Sequence, residues 1–124
     1  MTQRCLDDYR YGGFDAWARE PDEPACYEML PDRRWTGLWE TGWEWTNFCP
    51  DPAKDCDWMS KRGIWLRFAK GAPKVPDGLY RIEFVGRRTK VAGYHGHLNH
   101  YEHLMVVDHL ISLGKILGEK YSKR

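Results

Sequence analysis

Apolar and polar side chains alternate along several stretches of the chain, and a period of two residues is typical of β-strands. The clearest alternation lies in LYRIEFVG, at Leu79–Gly86, where Tyr80, Ile82 and Phe84 are separated by charged residues. The stretch GIWLRFAK, at Gly63–Lys70, spaces its Ile, Leu and Phe in the same way. The segment between them, GAPKVPDG, carries two prolines and an Asp-Gly pair and is typical of a loop. These stretches therefore predict two strands joined by a loop.

A tryptophan-rich stretch, RRWTGLWETGWEWTNF at Arg33–Phe48, follows the same period. Tryptophan occupies four odd positions, and Thr or Glu occupies four of the eight even positions, which predicts a strand with one aromatic and one mostly polar face. Its glycines indicate a bulge or a tight turn at Thr41–Gly42. Because large rings fit half-buried pleated surfaces, the seven Trp and seven Tyr favour a β-rich core over an exposed stacking platform. The four tryptophans are Trp35, Trp39, Trp43 and Trp45.

The last apolar stretch, YEHLMVVDHLISLGKILGEKYSKR, fits two patterns. As a strand it would place Met105, Val107, Ile111 and Leu113 on one face; as a helix it would form a stripe that includes Val106 and Leu110 instead. The Val-Val pair and the glycine in mid-segment favour a strand, whereas the length favours a helix. We expect a strand through about residue 113.

The predicted fold class is mostly β: a small single-domain antiparallel barrel or sandwich of OB-like size. A chain of 124 residues suits one domain with its own core. Residues 1–34 are punctuated by Gly and Pro and predict an irregular N-terminal arm that packs on the core, with room for a short helix at Phe14–Glu20 or Pro24–Leu30. Residues 35–118 form the predicted β-rich core, and residues 119–124 a polar tail.

Charge and hydropathy exclude few functions. The formal net charge is +1, but residues 1–60 carry a balance of −7 and residues 61–124 a balance of +8. This asymmetry fits either two complementary halves of one fold or a basic face built by the second half. No apolar run approaches the roughly 20 residues that span a bilayer, and the first residues lack the apolar core of a signal peptide.

Four cysteines permit two disulfides in three connectivities. The short loop CPDPAKDC would be closed by a Cys49–Cys56 bridge, and Cys5–Cys26 would then fix the arm. The spacings of the cysteines match no common structural zinc site. The alternative to two disulfides is therefore four free thiols. The pairing bears on localisation: extracytoplasmic if the disulfides form, cytoplasmic otherwise.

Four of the five histidines lie in GYHGHLNHYEH, which runs from Gly93 to His103. Imidazoles at this density are candidate ligands for zinc or another divalent transition metal. A surface turn, with each ring bound by backbone or water, and a pH-sensitive switch near pKa about 6.5 are the alternatives. The candidate metal ligands are His95, His97, His100 and His103.

Basic and aromatic residues in or near the predicted loops form a second candidate site, suited to a protein or a polyanionic partner. These candidate ligand-binding residues are Arg62, Trp65, Lys74, Arg87, Arg88 and Tyr94. Catalytic signals are thin: no G-x-S-x-G and no phosphate-binding loop motif is present, and Glu40 with Glu44 is an isolated carboxylate pair. The leading hypothesis is a small non-catalytic binding domain without a cofactor. The alternative is a metal-binding protein, catalytic or not, that uses the His95–His103 loop.

Overall fold

The computed structural model describes Cys5 and residues 24–43, 45–56, 63–96 and 100–116. A 3-10 helix at Pro24–Cys26 precedes the strands. The strands are β1 Arg33–Gly42, β2 Trp45–Pro50, β3 Ile64–Phe68, β4 Gly78–Arg88 and β5 His103–Lys115.

The five strands close into a barrel in the order β1-β2-β3-β5-β4, which confirms the predicted small, mostly β domain. One detail of that prediction is wrong: β3 and β5 run parallel, through Ile64↔His103 to Phe68↔Val107, while the other pairs are antiparallel. The reason lies in the order of the strands. β2 is antiparallel to both β1 and β3, so β1 and β3 run in the same direction. β4 is antiparallel to β1 and β5 is antiparallel to β4, so β5 also runs in the direction of β3.

Side chains that point into the barrel form the main core, and they come from the predicted alternation in β4 and from the matching faces of the other strands. Aromatic rings fill most of the space; Phe48 and Phe84, for example, meet edge to face with centroids 5.1 Å apart. The buried members of this cluster are Trp35, Trp39, Phe48, Leu66, Tyr80, Ile82, Phe84, Met105 and Val107.

The four tryptophans of the predicted aromatic face have different environments. Trp35 and Trp39 are buried in the core, and their indole N–H groups donate to Gly86 O at 3.2 Å and Thr46 Oγ1 at 2.6 Å. Trp43 is 76% exposed and Trp45 is half-buried. The single strand predicted over this stretch is therefore two strands. β1 ends at Gly42 and the chain turns at Trp43, one residue beyond the predicted turn.

The expected polar face of the first strand is not solvent-exposed along its length. Leu38 packs with Cys56 and Leu79 in a second buried cluster outside the barrel, and Glu40 is only 2% exposed. The loop closed by Cys49 and Cys56 covers this side of β1. An added layer of loop, which alternation within one strand does not reveal, explains why both faces of β1 are buried.

β5 is a strand, which decides between the two patterns seen in its sequence. Its register with β4 shifts twice, at Glu83/Phe84 and Val85/Gly86, and each shift marks a β-bulge or irregularity. Val107, Leu110 and Leu113 all reach the main core although they are three residues apart. An extra residue at each bulge produces this spacing, and it explains why the sequence resembles a helical stripe.

The two ends of the barrel differ. At the closed end, Trp39 packs on Phe68 and Tyr80, and Val75 from the loop between β3 and β4 covers them. The Tyr80 hydroxyl donates to Pro76 O at 2.5 Å and fixes that loop. At the open end, the strands β1, β3 and β5 begin and β2 and β4 end, as the register shows.

The cysteines pair as the spacing predicts, Cys5 with Cys26 and Cys49 with Cys56. Beyond Cys26 the arm adds a short strand-like segment beside the end of β4. Leu30 N–H donates to Arg88 O at 2.8 Å, and Met29 forms a β-bridge with Thr89. Most of the predicted arm and the tail at 119–124 lie outside the described residues.

Candidate functional site

A pocket of about 590 Å³ opens at the open end of the barrel, and we call it the barrel mouth. Pockets in the mouths of barrels are common ligand sites. The loop closed by Cys49 and Cys56 forms one wall of the barrel mouth. It is lined by residues 47–50, 52–55, 63 and 64, by Arg88, and by residues 102 and 103.

Arg88 is the cation of the barrel mouth that lies on a β-strand, whereas Lys54 lies on a loop. It is the last residue of β4, it is half-buried, and its Nε donates to Thr89 O at 3.1 Å. Within the described residues it makes no ion pair, whereas Arg34, Arg81 and Arg87 each pair with a carboxylate. Its remaining guanidinium N–H groups are therefore able to bind an anion in a bidentate manner.

His103 lines the barrel mouth as the first residue of β5. Its Nδ1 shares a hydrogen bond of 2.8 Å with the hydroxyl of Thr89, which is itself buried. The same hydroxyl accepts the backbone N–H of Leu104 at 3.2 Å. The imidazole is thus fixed from the β4–β5 side, in a pocket that also contains the side chain of Glu102.

The rest of the barrel mouth combines apolar walls with charges of both signs. Phe48 and Ile64 contribute hydrophobic surface next to Pro and Ala residues of the disulfide loop. Lys54 and Asp55 lie on that loop and Glu102 faces it across the pocket. This arrangement suits a ligand that has both an apolar part and a charged group.

Arg87, although adjacent to Arg88 in sequence, lies on the outer side of the sheet. It makes a bidentate pair with Asp108 at 2.7 and 3.0 Å, and its Nε is 3.9 Å from Asp32. The hydrogen bond from Arg87 lowers the pKa of Asp108, while a hydrogen bond to Asp108 raises the pKa of Asp32. The strands alternate, so two consecutive arginines face different surroundings.

The remaining candidate binding residues do not gather with Arg88. Trp65 is half-buried under Tyr101, with ring centroids 5.0 Å apart. Lys74 is exposed in the loop at the closed end, and Tyr94 is 56% exposed in the loop between β4 and β5. Arg62 lies outside the described residues.

The candidate metal ligands have separate environments where the structure describes them. His95 is 1% exposed, packs edge to face with Tyr27 at 4.8 Å, and forms a backbone bridge with Tyr101. His100 packs edge to face with Tyr101, whose pKa is raised well above its usual range by burial. In the described part of the chain no three His, Cys, Asp or Glu side chains form a metal-binding group. His97 lies outside that part.

The carboxylate pair suggested by the sequence is not assembled at the barrel mouth. Glu40 is buried beside the outer face of β1, and Glu44 lies outside the described residues. Sequence reasoning did not bring Lys54 and Glu102 together at one site, although both line the barrel mouth. They lie within sequence features that were recognised, the disulfide loop and the histidine-rich stretch, but only closure of the barrel brings those loops together.

Compared with family models, curated proteins and solved structures, the chain matches none of them. In the part of the chain that the structure describes, no helix is long and apolar enough to cross a bilayer.

Proposed function

We propose that this protein is a non-catalytic binding domain that takes a carboxylate-bearing segment of a protein partner at the barrel mouth. The observation that carries the proposal is Arg88, a half-buried guanidinium in a pocket of about 590 Å³ that has no carboxylate partner among the described residues. Placing a charge in a partly desolvated site is costly unless a ligand compensates it. Arginine matches a carboxylate in geometry as well as in charge.

A protein partner fits the site better than a linear polyanion. A polyanion is bound by many cations along one surface, and its affinity depends steeply on salt. Arg34, Arg81 and Arg87 already pair with carboxylates of this chain, and the barrel mouth itself contains acidic side chains. Its apolar walls add contact area that a peptide side chain would use and that a chain of phosphates or sulfates would not.

Two pools of N-acetylated, C-amidated tripeptides test the proposal. One pool has glutamate at the centre and the other glutamine, with every amino acid except aspartate and glutamate at both flanking positions. Backbone amide chemical shifts of the labelled protein report binding. We expect the glutamate pool to shift residues around the barrel mouth and the glutamine pool to leave them unchanged.

Arg88→Ala should weaken binding of the glutamate pool by about tenfold or more, the worth of a hydrogen bond to a charged group. Arg34→Ala is the matched control, because it removes the same charge from an exposed position that pairs with Glu83 on the outer surface. Equal binding of the two pools, or wild-type binding by Arg88→Ala, would refute the proposal.

We also propose an extracytoplasmic location. Disulfides persist in oxidising compartments and are rare in the cytosol. The described cysteines form two bridges, and the Cys49–Cys56 bridge holds a wall of the barrel mouth. Thiol alkylation of the protein taken directly from its native cells, followed by mass measurement, tests this: fully alkylated cysteines would contradict it.

A further inference from the structure

The closed end of the barrel, opposite the barrel mouth, carries a protruding tryptophan and three lysines. Trp43 stands at the tip of the β1–β2 hairpin and is 76% exposed. Lys70 and Lys74 lie in the loop between β3 and β4, and Lys115 is the last residue of β5; all three are exposed. We call these four residues the closed-end surface.

The strand register brings these residues to one end of the molecule. Thr41 pairs with Gly78, so the hairpin tip lies beside the start of β4, and Tyr80 pairs with Lys115. A Cβ placed on Gly78 would lie 3.7 Å from Lys115 Cε, so the lysine side chain runs along the first residue of β4. Strands are about 4.8 Å apart, and two such steps separate β1 from β5 across β4.

The loop lysines belong to the same end because their loop begins and ends there. Phe68, the last residue of β3, packs on Trp39 at a centroid distance of 5.2 Å in the closed end of the core. Val75 from the middle of the loop covers the same core, and Tyr80 binds Pro76 O. The loop therefore folds over the closed end, between the hairpin tip and the end of β5.

Among the residues that the structure describes, the positive charge of this surface is only partly balanced. None of the three lysines makes an ion pair with any residue that the structure describes. The loop at 69–77 contains a single carboxylate, Asp77. Three lysines and one aspartate give the described residues of this end a net positive charge around an exposed indole.

We propose that the closed-end surface binds the surface of an anionic lipid bilayer. An indole is apolar with one N–H donor, and the region between lipid headgroups and acyl chains satisfies both parts. Lysines near an anionic bilayer are attracted to it, and the attraction falls off within a Debye length. Trp43 stands at the tip of a hairpin, where a flat bilayer can reach it, and not in a groove that would hold a linear polyanion. In this orientation the barrel mouth faces away from the bilayer.

Co-sedimentation with vesicles tests the proposal. The probes are vesicles of phosphatidylcholine alone and of phosphatidylcholine mixed with phosphatidylglycerol in equal amounts. We expect binding to the mixed vesicles and not to phosphatidylcholine alone. Replacing Lys70, Lys74 and Lys115 together with alanine should lower the partition coefficient by roughly a hundredfold, at about fivefold for each lysine. Trp43→Ala should lower it on the order of tenfold, for the loss of partly buried apolar surface.

Matched controls remove the same number of positive charges, or an exposed aromatic ring, from the opposite end. Arg33→Ala, Arg34→Ala and Lys90→Ala combined should leave vesicle binding within about twofold of wild type, since charges beyond a Debye length are screened. Tyr94→Ala removes an exposed aromatic ring from the loop between β4 and β5 and should also have little effect. Arg33, Arg34 and Lys115 are terminal or near-terminal residues of strands, and the other substituted positions lie in turns or loops. Circular dichroism verifies folding of each variant.

Three results would overturn the proposal. Failure of the wild type to bind mixed vesicles would exclude an anionic bilayer as the partner. An equal loss in the control triple variant would show attraction by overall charge only. If Trp43→Ala bound the vesicles like wild type, and heparin bound the protein with the same lysine dependence, the surface would be reassigned to a soluble polyanion.

Discussion

Gly37→Ala should destabilise the protein because the inside of this barrel has no room for a methyl group at that position. A Cβ on Gly37 would lie 2.3 Å from the carbonyl oxygen of Cys49, 2.9 Å from Pro50 Cα and 3.0 Å from a ring carbon of Phe48. The nearest two atoms are backbone, so β2 itself would have to move. Overpacking of this kind costs about 1–3 kcal/mol, and the lower entropy of the unfolded chain returns roughly 0.4–1 kcal/mol of that. We expect a net loss of about 1–2 kcal/mol.

Gly114→Ala is the matched control for this substitution. Gly114 also lies in a strand, but no atom is within 4 Å of the position its Cβ would occupy. This variant should be as stable as wild type or more stable by roughly 0.4–1 kcal/mol. Urea unfolding under non-reducing conditions measures both, and their midpoints should differ by roughly 1 M for a domain of this size. Equal midpoints would refute the register in which Gly37 faces Pro50.

Three further outcomes are expected. Replacing Cys49 and Cys56 with alanine should cost about 2–3 kcal/mol, by the loop entropy of a short bridge, and should make urea unfolding less sensitive to reductant. Asp108→Asn should cost about 1 kcal/mol at neutral pH, since its pair with Arg87 is half-exposed. The lowered pKa of Asp108 contributes stability that is present above its unfolded value of 3.8 and is lost as pH falls through the folded value; unfolding measured across acidic pH should show a shallower decline in the Asn variant. Thr89→Val should cost about 1–3 kcal/mol, because it removes the buried hydroxyl that accepts the backbone N–H of Leu104; an unchanged urea midpoint would contradict this role.

Much of the barrel is predictable from alternation, and the exceptions have identifiable causes. β4 alternates cleanly because one of its faces lines the core and the other carries charged residues. β5 is ambiguous because two bulges reset its phase, so that Val107, Leu110 and Leu113 share the core at a spacing of three. The parallel pairing of β3 with β5 leaves no mark on either sequence, since it depends on the position that β5 takes between β3 and β4.

The candidate site is less predictable, because it is made of residues that only closure of the barrel brings together. Arg88 was identifiable as a loop-proximal cation, and the alternation of β4 separates it from Arg87, but the sequence shows neither the pocket around Arg88 nor the pairing of Arg87 with Asp108 on the outer surface. The burial of Glu40 and His95 depends on loops that cover the outside of the strands. These placements are tertiary, and local periodicity contains no information on them.

The parallel pair also determines the order in which the strands can associate. It thereby determines how long the chain is prone to aggregation. β1 to β4 can associate once residue 88 is available, since β3 pairs with β2, but β3 gains its second neighbour only when residues 103–107 arrive. Until then β3 and β4 each present a strand edge that is not hydrogen-bonded to β5. Such edges recruit other chains, and pairings between distant segments form slowly. We therefore expect nascent or truncated chains that end before β5 to need chaperone protection, and the complete barrel to dispense with it.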